Sequence, residues 1–441
     1  MKRIILVTVG MLLVFGQARA KETIDLDRYL SLVVANSRAL KLAGRERAMA
    51  EAKKKEATSG ALPHIFAEAG YVRNFTDTYM FVDQGALSSG ESGGGGDLRF
   101  KITRSNEFSA SAVLNQAIFN PAVIYAIKGA KQYEQITDFV YDSSHQMIIT
   151  QAKCLFYQAA LMEKVCEVRI STEDSAHDNY LNMKSKFDAG VVSEFQLLQA
   201  EVRWKNAVPD TAKARRDYDL VLNNLKTLAG IPVPDKISLV VSMDEYPELP
   251  NRLDLEAVLA RRPDYNTLIM EEKLNETNIK ANRSAYYPTL NGSLIGAFSS
   301  QSDEWRFDQE NTIWSGTLSL SIPIFLGGST RARVQQARIG LERSRIRIEQ
   351  ARDDIYNELA NIHLWLEEAH GRIASAEVTL ASAERAFSIA ETTARSGLTT
   401  QLELKDTRLD LDEARLNRNL AIFDYLVAYF EWERATGERD L

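Results

Sequence analysis

Apolar residues recur along this chain with two different periods. In 312–325, Trp314, Leu318, Leu320, Ile322 and Ile324 alternate with Ser315, Thr317, Ser319 and Ser321. In 108–119, Phe108, Ala110, Ala112, Leu114 and Ile118 occupy even positions, with Ser109, Ser111 and Asn115 between them. Residues 289–298 set Leu290, Leu294 and Phe298 against Asn291 and Ser293, and 64–73 set Ile65, Ala67, Ala69 and Tyr71 opposite Glu68. A period of two over about ten residues predicts strands with one apolar and one polar face. The same pattern suits a barrel strand with lipid on one side and water on the other. The predicted strand bounds are about 63–73, 108–119, 288–299 and 312–325.

Elsewhere the period is seven. Val334, Leu341, Ile348, Ile355, Ile362, Ala369, Ala376 and Ala383 fall at strict sevens, and Leu359, Leu366, Ile373, Leu380 and Phe387 follow four residues behind the matching members. This is the a/d seam of a coiled coil. Ile127, Tyr141, Ile148, Leu155 and Met162 repeat it less cleanly, with Glu134 interrupting, and Leu402, Leu409, Leu416, Phe423 and Phe430 resume it near the C-terminus. No proline falls between residues 328 and 396, so a helix of about 70 residues, ~100 Å long, is predicted there. Pro209 predicts a local irregularity in an earlier helix.

The punctuation between these segments occurs twice. Leu62-Pro63 matches Tyr287-Pro288 at an offset of 225, and Phe119-Asn120-Pro121 matches Phe325-Leu326-Gly327 at 206. Ala189-Gly190-Val191 matches Ser396-Gly397-Leu398, and Leu228-Ala229-Gly230 matches Ala435-Thr436-Gly437, both at 207. An internal duplication follows, each copy reading helix, strand, loop, strand, very long helix, shorter helix. The expected organisation is a first repeat in 21–230, a linker in 231–251 rich in proline, and a second repeat in 252–441. The first copy carries the longer loop, 74–107, with a low-complexity Gly/Ser run inside it.

Lys2 and Arg3, an apolar run over 4–16 and the ending Ala18-Arg19-Ala20 read as a secretory signal, 1–20, cleaved after Ala20. Its loss takes the net charge from −7 to −10, which argues against nucleic acid as a partner. Two cysteines, Cys154 and Cys166, lie ~18 Å apart along one predicted helix and read as inert buried thiols. His363 and His370 share a helix face but lack further ligands, so neither a metal nor a cofactor is expected. Patterns of nucleophilic or phosphate-transfer chemistry are absent, and the chain is not expected to be an enzyme.

Four strands cannot close a barrel, and an open edge in lipid leaves backbone groups unsatisfied. Three chains would supply twelve strands, which predicts a homotrimer. The fold class is mainly α with a β-barrel part: a trimeric twelve-stranded outer-membrane barrel continued by a coiled-coil periplasmic tunnel. Trp305, Phe307 and Trp314 fit either an aromatic girdle at the membrane interface or ordinary strand packing. A non-pore periplasmic coiled-coil scaffold or binding protein is the alternative, though it leaves the alternating strands without a purpose.

With its duplication, its strand-opening Leu62-Pro63 and Tyr287-Pro288, and its two Gly-centred helix turns, the chain resembles the outer membrane efflux proteins, the TolC-like channels. The resemblance implies an exit duct of a tripartite efflux or type I secretion system, set in outer-membrane lipid. Its implied partners are a periplasmic adaptor protein and an inner-membrane pump. It also implies that Glu403 and Asp406, three apart past the second turn, form carboxylate rings at the periplasmic aperture. Gln196 stands at the first-copy position that can carry an acid, and Ala394 and Thr399 stand where aromatic and basic latch residues would be, so closure by that latch is not expected. The turns holding Gly190, Val191 and Val192, and Gly397, Leu398 and Thr399, are implied to be the adaptor-docking tips.

Overall fold

The computed structural model describes residues 22–83, 97–243, 245–307, 310–396 and 400–438. In chain order they form β1 (Glu22–Ile24), α1 (Leu26–Asn36), α2 (Arg38–Ser59), β2 (His64–Arg73), β3 (Tyr79–Asp83), β4 (Asp97–Lys101), β5 (Asn106–Phe119) and α3 (Pro121–Asp188). Then come α4 (Glu194–Ala229), β6 (Ile237–Leu239), α5 (Leu255–Arg261), α6 (Pro263–Arg283), β7 (Thr289–Ser302), β8 (Asn311–Ser321), α7 (Ser329–Arg395) and α8 (Gln401–Thr436). The fold is mostly helical. The expected signal, 1–20, and most of the Gly/Ser run lie outside the described residues.

Two compact units divide the chain. The strand unit draws on Glu46–Asp138 and Thr267–Glu349. Its sheet has the order β2-β5-β7-β8, every neighbour antiparallel. The register aligns Ala69 with Ala110 and Phe298, and Ala67 with Ala112, Gly296 and Trp314. Ile65, Leu114, Leu294, Leu318 and Leu320 belong to this same apolar face. The other face carries Glu68, Ser109, Ser111, Asn115, Asn291, Ser293, Ser315, Thr317 and Ser319, with Phe66, Val113, Ile295 and Ile313 among them. β8 ends at Ser321 rather than at 325, because Pro323 has no N–H for a ladder. β5 and β7 are longer than expected, and β3 pairs β4 as a hairpin inside the region expected to be loop.

The helical unit draws on the described parts of Met1–Arg45, Phe139–Asn266 and Gln350–Leu441. Its α7 seam is the predicted one: Ile355, Ile362, Leu366, Ala369 and Ile373 are buried, and Leu359, Ala376, Leu380, Ala383 and Phe387 are half-buried. On α8 the seam differs from the expected row. Leu411, Ala414, Ala421, Tyr425, Ala428, Trp432 and Ala435 are buried; of the expected row Phe430 is buried too, whereas Leu409, Leu416 and Phe423 are half-buried and Leu402 is exposed. Four of the seven residues in this buried row are alanines, whose small side chains give it a weak hydrophobic pattern in the sequence. A second core gathers Ile24, Tyr29, Val33, Phe156 and Leu225, and Tyr29 donates to the Leu225 carbonyl at 3.2 Å. Burying a large side chain in either core stabilises by ~1.5–3 kcal/mol.

Pro209 does not interrupt α4, and the nearby Thr211 hydroxyl donates to the Ala207 and Arg169 carbonyls. Cys154 and Cys166 are half-buried rather than buried. Burial pushes the Cys154 thiol up to about 12, with the Glu431 charge adding to the shift. Residues 231–251, expected as plain linker, contain β6, which pairs in parallel with β1.

Candidate functional site

One face of the four-stranded sheet is apolar across all its strands in register, and among the described residues no strand pairs with the outer edges of β2 and β8. Trp305 packs edge-on against Tyr71 (4.8 Å) and Phe108 (5.1 Å), and Phe307 lies against Phe108 (4.9 Å) and Phe298 (6.0 Å). Trp305 and Phe307 nonetheless remain exposed, so the rings are packed on strand residues and still open to their surroundings. The Trp314 ring covers Gly296, where an added Cβ would meet it at 2.9 Å.

The helix turn after α3 is built by a Schellman motif. Gly190 adopts φ 72°, its N–H donates to the Phe187 carbonyl, and Val191 N–H donates to the Lys186 carbonyl, both at 2.8 Å. Val191 is 71% exposed, Val192 is half-buried, and Phe195 is 68% exposed, so the tip presents apolar surface. Gly397, Leu398 and Thr399 lie outside the described residues.

α4 and α8 begin with the same device. The Ser193 hydroxyl accepts from Gln196 N–H, while the Gln196 side-chain oxygen accepts from Ser193 N–H at 3.1 Å. The Thr400 hydroxyl accepts from Glu403 N–H at 3.2 Å, and the Glu403 carboxylate accepts from Thr400 N–H at 3.0 Å. These are capping boxes. Both sequences, S-x-x-Q and T-x-x-E, carry the signature, and reading the residues for charge alone missed it.

Glu403 is therefore turned back onto its own helix start, while Asp406, one turn on, is exposed without an ion pair or hydrogen bond among the described residues. Between them Lys405 reaches α3, its Nζ 3.3 Å from Asp178 Oδ2. Ala394, near the end of α7, is half-buried. His363 is buried beside Trp432, whereas His370 is exposed and its ring lies against Tyr425.

A charged network that sequence reading missed joins α5, α6, α7 and α8. The buried Arg262 guanidinium contacts both Asp264 oxygens (3.0 and 2.6 Å), Glu358 (2.6 Å) and the Ala435 carbonyl (3.0 Å). Arg434 completes it through Glu358 (2.7 Å) and Glu431 (2.8 Å). Burial alone would raise the Asp264 and Glu358 carboxyls, but the hydrogen bonds and charge of Arg262 outweigh it and hold both below their ordinary values.

The profile of the outer membrane efflux protein family matches residues 29–231 and 255–438. The chain belongs to the outer membrane efflux protein family. That family consists of channels rather than enzymes, and its membership places the chain in the outer membrane. Among curated relatives of the family, outer membrane protein TolC of Salmonella enteritidis is 20% identical over 245 residues, covering 53% of this chain and 49% of the relative. Alkaline protease secretion protein AprF of Pseudomonas aeruginosa is 22% identical over 248 residues, covering 55% and 52%. The chain spans about half the length of the curated relatives it matches. The fold is that of solved channels of the family. The Campylobacter jejuni CmeC outer membrane channel superposes with TM-score 0.78 at 17% identity, covering 94% of this chain and 87% of that one. The open Neisseria gonorrhoeae MtrE channel gives 0.71 at 18% identity, covering 93% and 88%.

Proposed function

We propose that the chain is the exit duct of a tripartite efflux or type I secretion system, passively conducting cargo from an inner-membrane pump across the periplasm and outer membrane. The observation that carries this reading is the antiparallel four-stranded sheet with an apolar face and two open edges. In lipid those edges require partners, and three chains give a closed barrel of twelve strands. The chain is then an internal duplication, with repeats in 21–230 and 252–441 joined through 231–251, and its helices continue the barrel as a coiled-coil tunnel. Among the described residues no helix is long and apolar enough to cross a membrane.

The tunnel's periplasmic end closes at the start of α8. Asp406, free of partners among the described residues, supplies the main ring of negative charge, attracting cations and repelling anions. Glu403 adds to the field from its capping position, and Gln196 is its uncharged counterpart on α4. Lys405 and Asp178 tie the foot of α8 to α3 within one chain, in place of a latch at Ala394 and Thr399. The turns at Gly190, Val191 and Val192, and at Gly397, Leu398 and Thr399, dock a periplasmic adaptor. The exposed Val191 and Phe195 support the first of these. Purified protein reconstituted into planar bilayers tests the reading: stepwise ion conductance with cation block from the periplasmic side is expected, and absence of conductance contradicts it.

A further inference from the structure

At the end of the sheet away from the helices, Arg73, Asn106 and Ser302 stand side by side in register. Asn106 is wholly buried, and every hydrogen-bonding direction of its amide is used. Its Oδ1 accepts from the Tyr71 hydroxyl (2.8 Å) and Arg73 Nη1 (2.6 Å), and its Nδ2 donates to the Ser302 (3.2 Å) and Glu304 (3.0 Å) carbonyls. This amide locks the end of β2 to the turn after β7. It thereby seats Trp305 on Tyr71 and Phe108 and fixes one edge of the Arg73 guanidinium. The rest of that side chain is exposed, and no carboxylate pairs with it among the described residues.

On the same face, toward the helices, Ala67, Ala69, Ala110, Ala112 and Gly296 form the floor of a shallow trough beside Phe298 and Trp314. An oriented cation therefore stands above an aromatic row, and the row stands above an apolar trough. That sequence complements an amphiphile with an anionic head and a hydrocarbon tail. The helices that adjoin these strands, α2, α3, α6 and α7, all do so at the opposite ends, so in the proposed duct the Arg73 end reaches the outer leaflet, where the lipid is a phosphorylated glycolipid.

We propose that this face binds the phosphate of an outer-leaflet glycolipid on Arg73, with one of its acyl chains lying in the alanine trough. The planar guanidinium suits bidentate phosphate recognition, and Asn106 removes much of the ordering cost by holding it in place. The proposal rests on the outer-membrane duct reading.

Native mass spectrometry of the full, detergent-purified protein tests it, with phosphorylated lipid A, dephosphorylated lipid A and phosphatidylcholine as probes. The wild type is expected to retain phosphorylated lipid A in preference to the other two. Arg73→Gln, which keeps a donor for Asn106, should cut that retention about tenfold. Ala110→Leu, which fills the trough floor without touching the cation, should also lower it. Equal retention of phosphorylated and dephosphorylated lipid, or unchanged retention by Arg73→Gln, would overturn the proposal. So would displacement of the lipid by millimolar inorganic phosphate alone, which marks an anion site without a trough. Vesicle flotation separates the two levels: protein that floats but shows no phosphate preference loses only the lipid site, and protein that does not float loses the duct as well.

Discussion

Gln196 and Glu403 hold the same position in two helix starts 207 residues apart. Each is the third residue of a 36-residue helix, and each returns a side-chain oxygen to the N–H of its own cap residue, Ser193 or Thr400. The geometry demands an acceptor at that place and leaves its charge free to vary. At residue 403 structure and electrostatics are therefore superimposed, and a substitution can separate them.

Glu403→Gln should preserve the cap and leave thermal stability unchanged, while Glu403→Ala should cost about 0.5–1 kcal/mol of helix stability. In planar bilayers Glu403→Gln should weaken cation block only in part. Asp406→Asn should weaken it more, because Asp406 has no other engagement among the described residues. Undiminished block in the double variant would remove both residues from the aperture.

The Lys405–Asp178 pair is largely exposed, so one copy is worth only ~0.5 kcal/mol. Three copies acting on one aperture would sum to about a tenfold change in the closed-to-open ratio. Lys405→Met should accordingly raise single-channel open probability, and Asp178→Asn should do the same without further gain in the double variant. Additive effects in the double variant would show that the two residues act apart.

Docking at the first tip is tested at Gly190 and Val191. Gly190→Arg puts a bulky charge at a φ that only glycine adopts freely. Val191→Asp charges an exposed apolar site without that strain. Both should abolish export in a drug-susceptibility assay while leaving assembly intact, and full resistance in the Val191→Asp strain would argue against adaptor contact.

Arg262 makes the charged network a stability element. Removing one partner of a buried ion pair costs ~3–5 kcal/mol, so Arg262→Ala should lower the unfolding midpoint sharply. Asp264 and Glu358 are held below their ordinary values of 3.8 and 4.5. Because the folded values are the depressed ones, their stabilisation is complete above the ordinary values and is lost as pH falls through the depressed ones. Acid unfolding monitored by circular dichroism should show that loss in the wild type and a much shallower one in Arg262→Ala.

Much of the fold was legible because its signals are periodic. The α7 row from Ile355 to Phe387 and the alternation in β8 each rest on many residues that agree. The α8 seam was misread because alanine gives little hydrophobic signal, although Ala421 and Ala428 bury more completely than Leu416 or Phe423. β1 and β6 are three residues each and pair across more than 200 positions, so no local pattern announces them. The β3–β4 hairpin was hidden beside a Gly/Ser run. At the candidate aperture the charges were visible, but the capping roles of Gln196 and Glu403 emerged only with Ser193 and Thr400 beside them. Asn106, and Arg262 beyond its near neighbour Asp264, act through partners distant in sequence, and neither carried a signal of its own.

The mass of the purified chain in mild detergent tests the duct most directly. A particle of three chain masses that requires detergent to stay in solution is the expected result, since the edges of β2 and β8 need neighbours. A monodisperse, detergent-free monomer would contradict the barrel and the charged aperture with it.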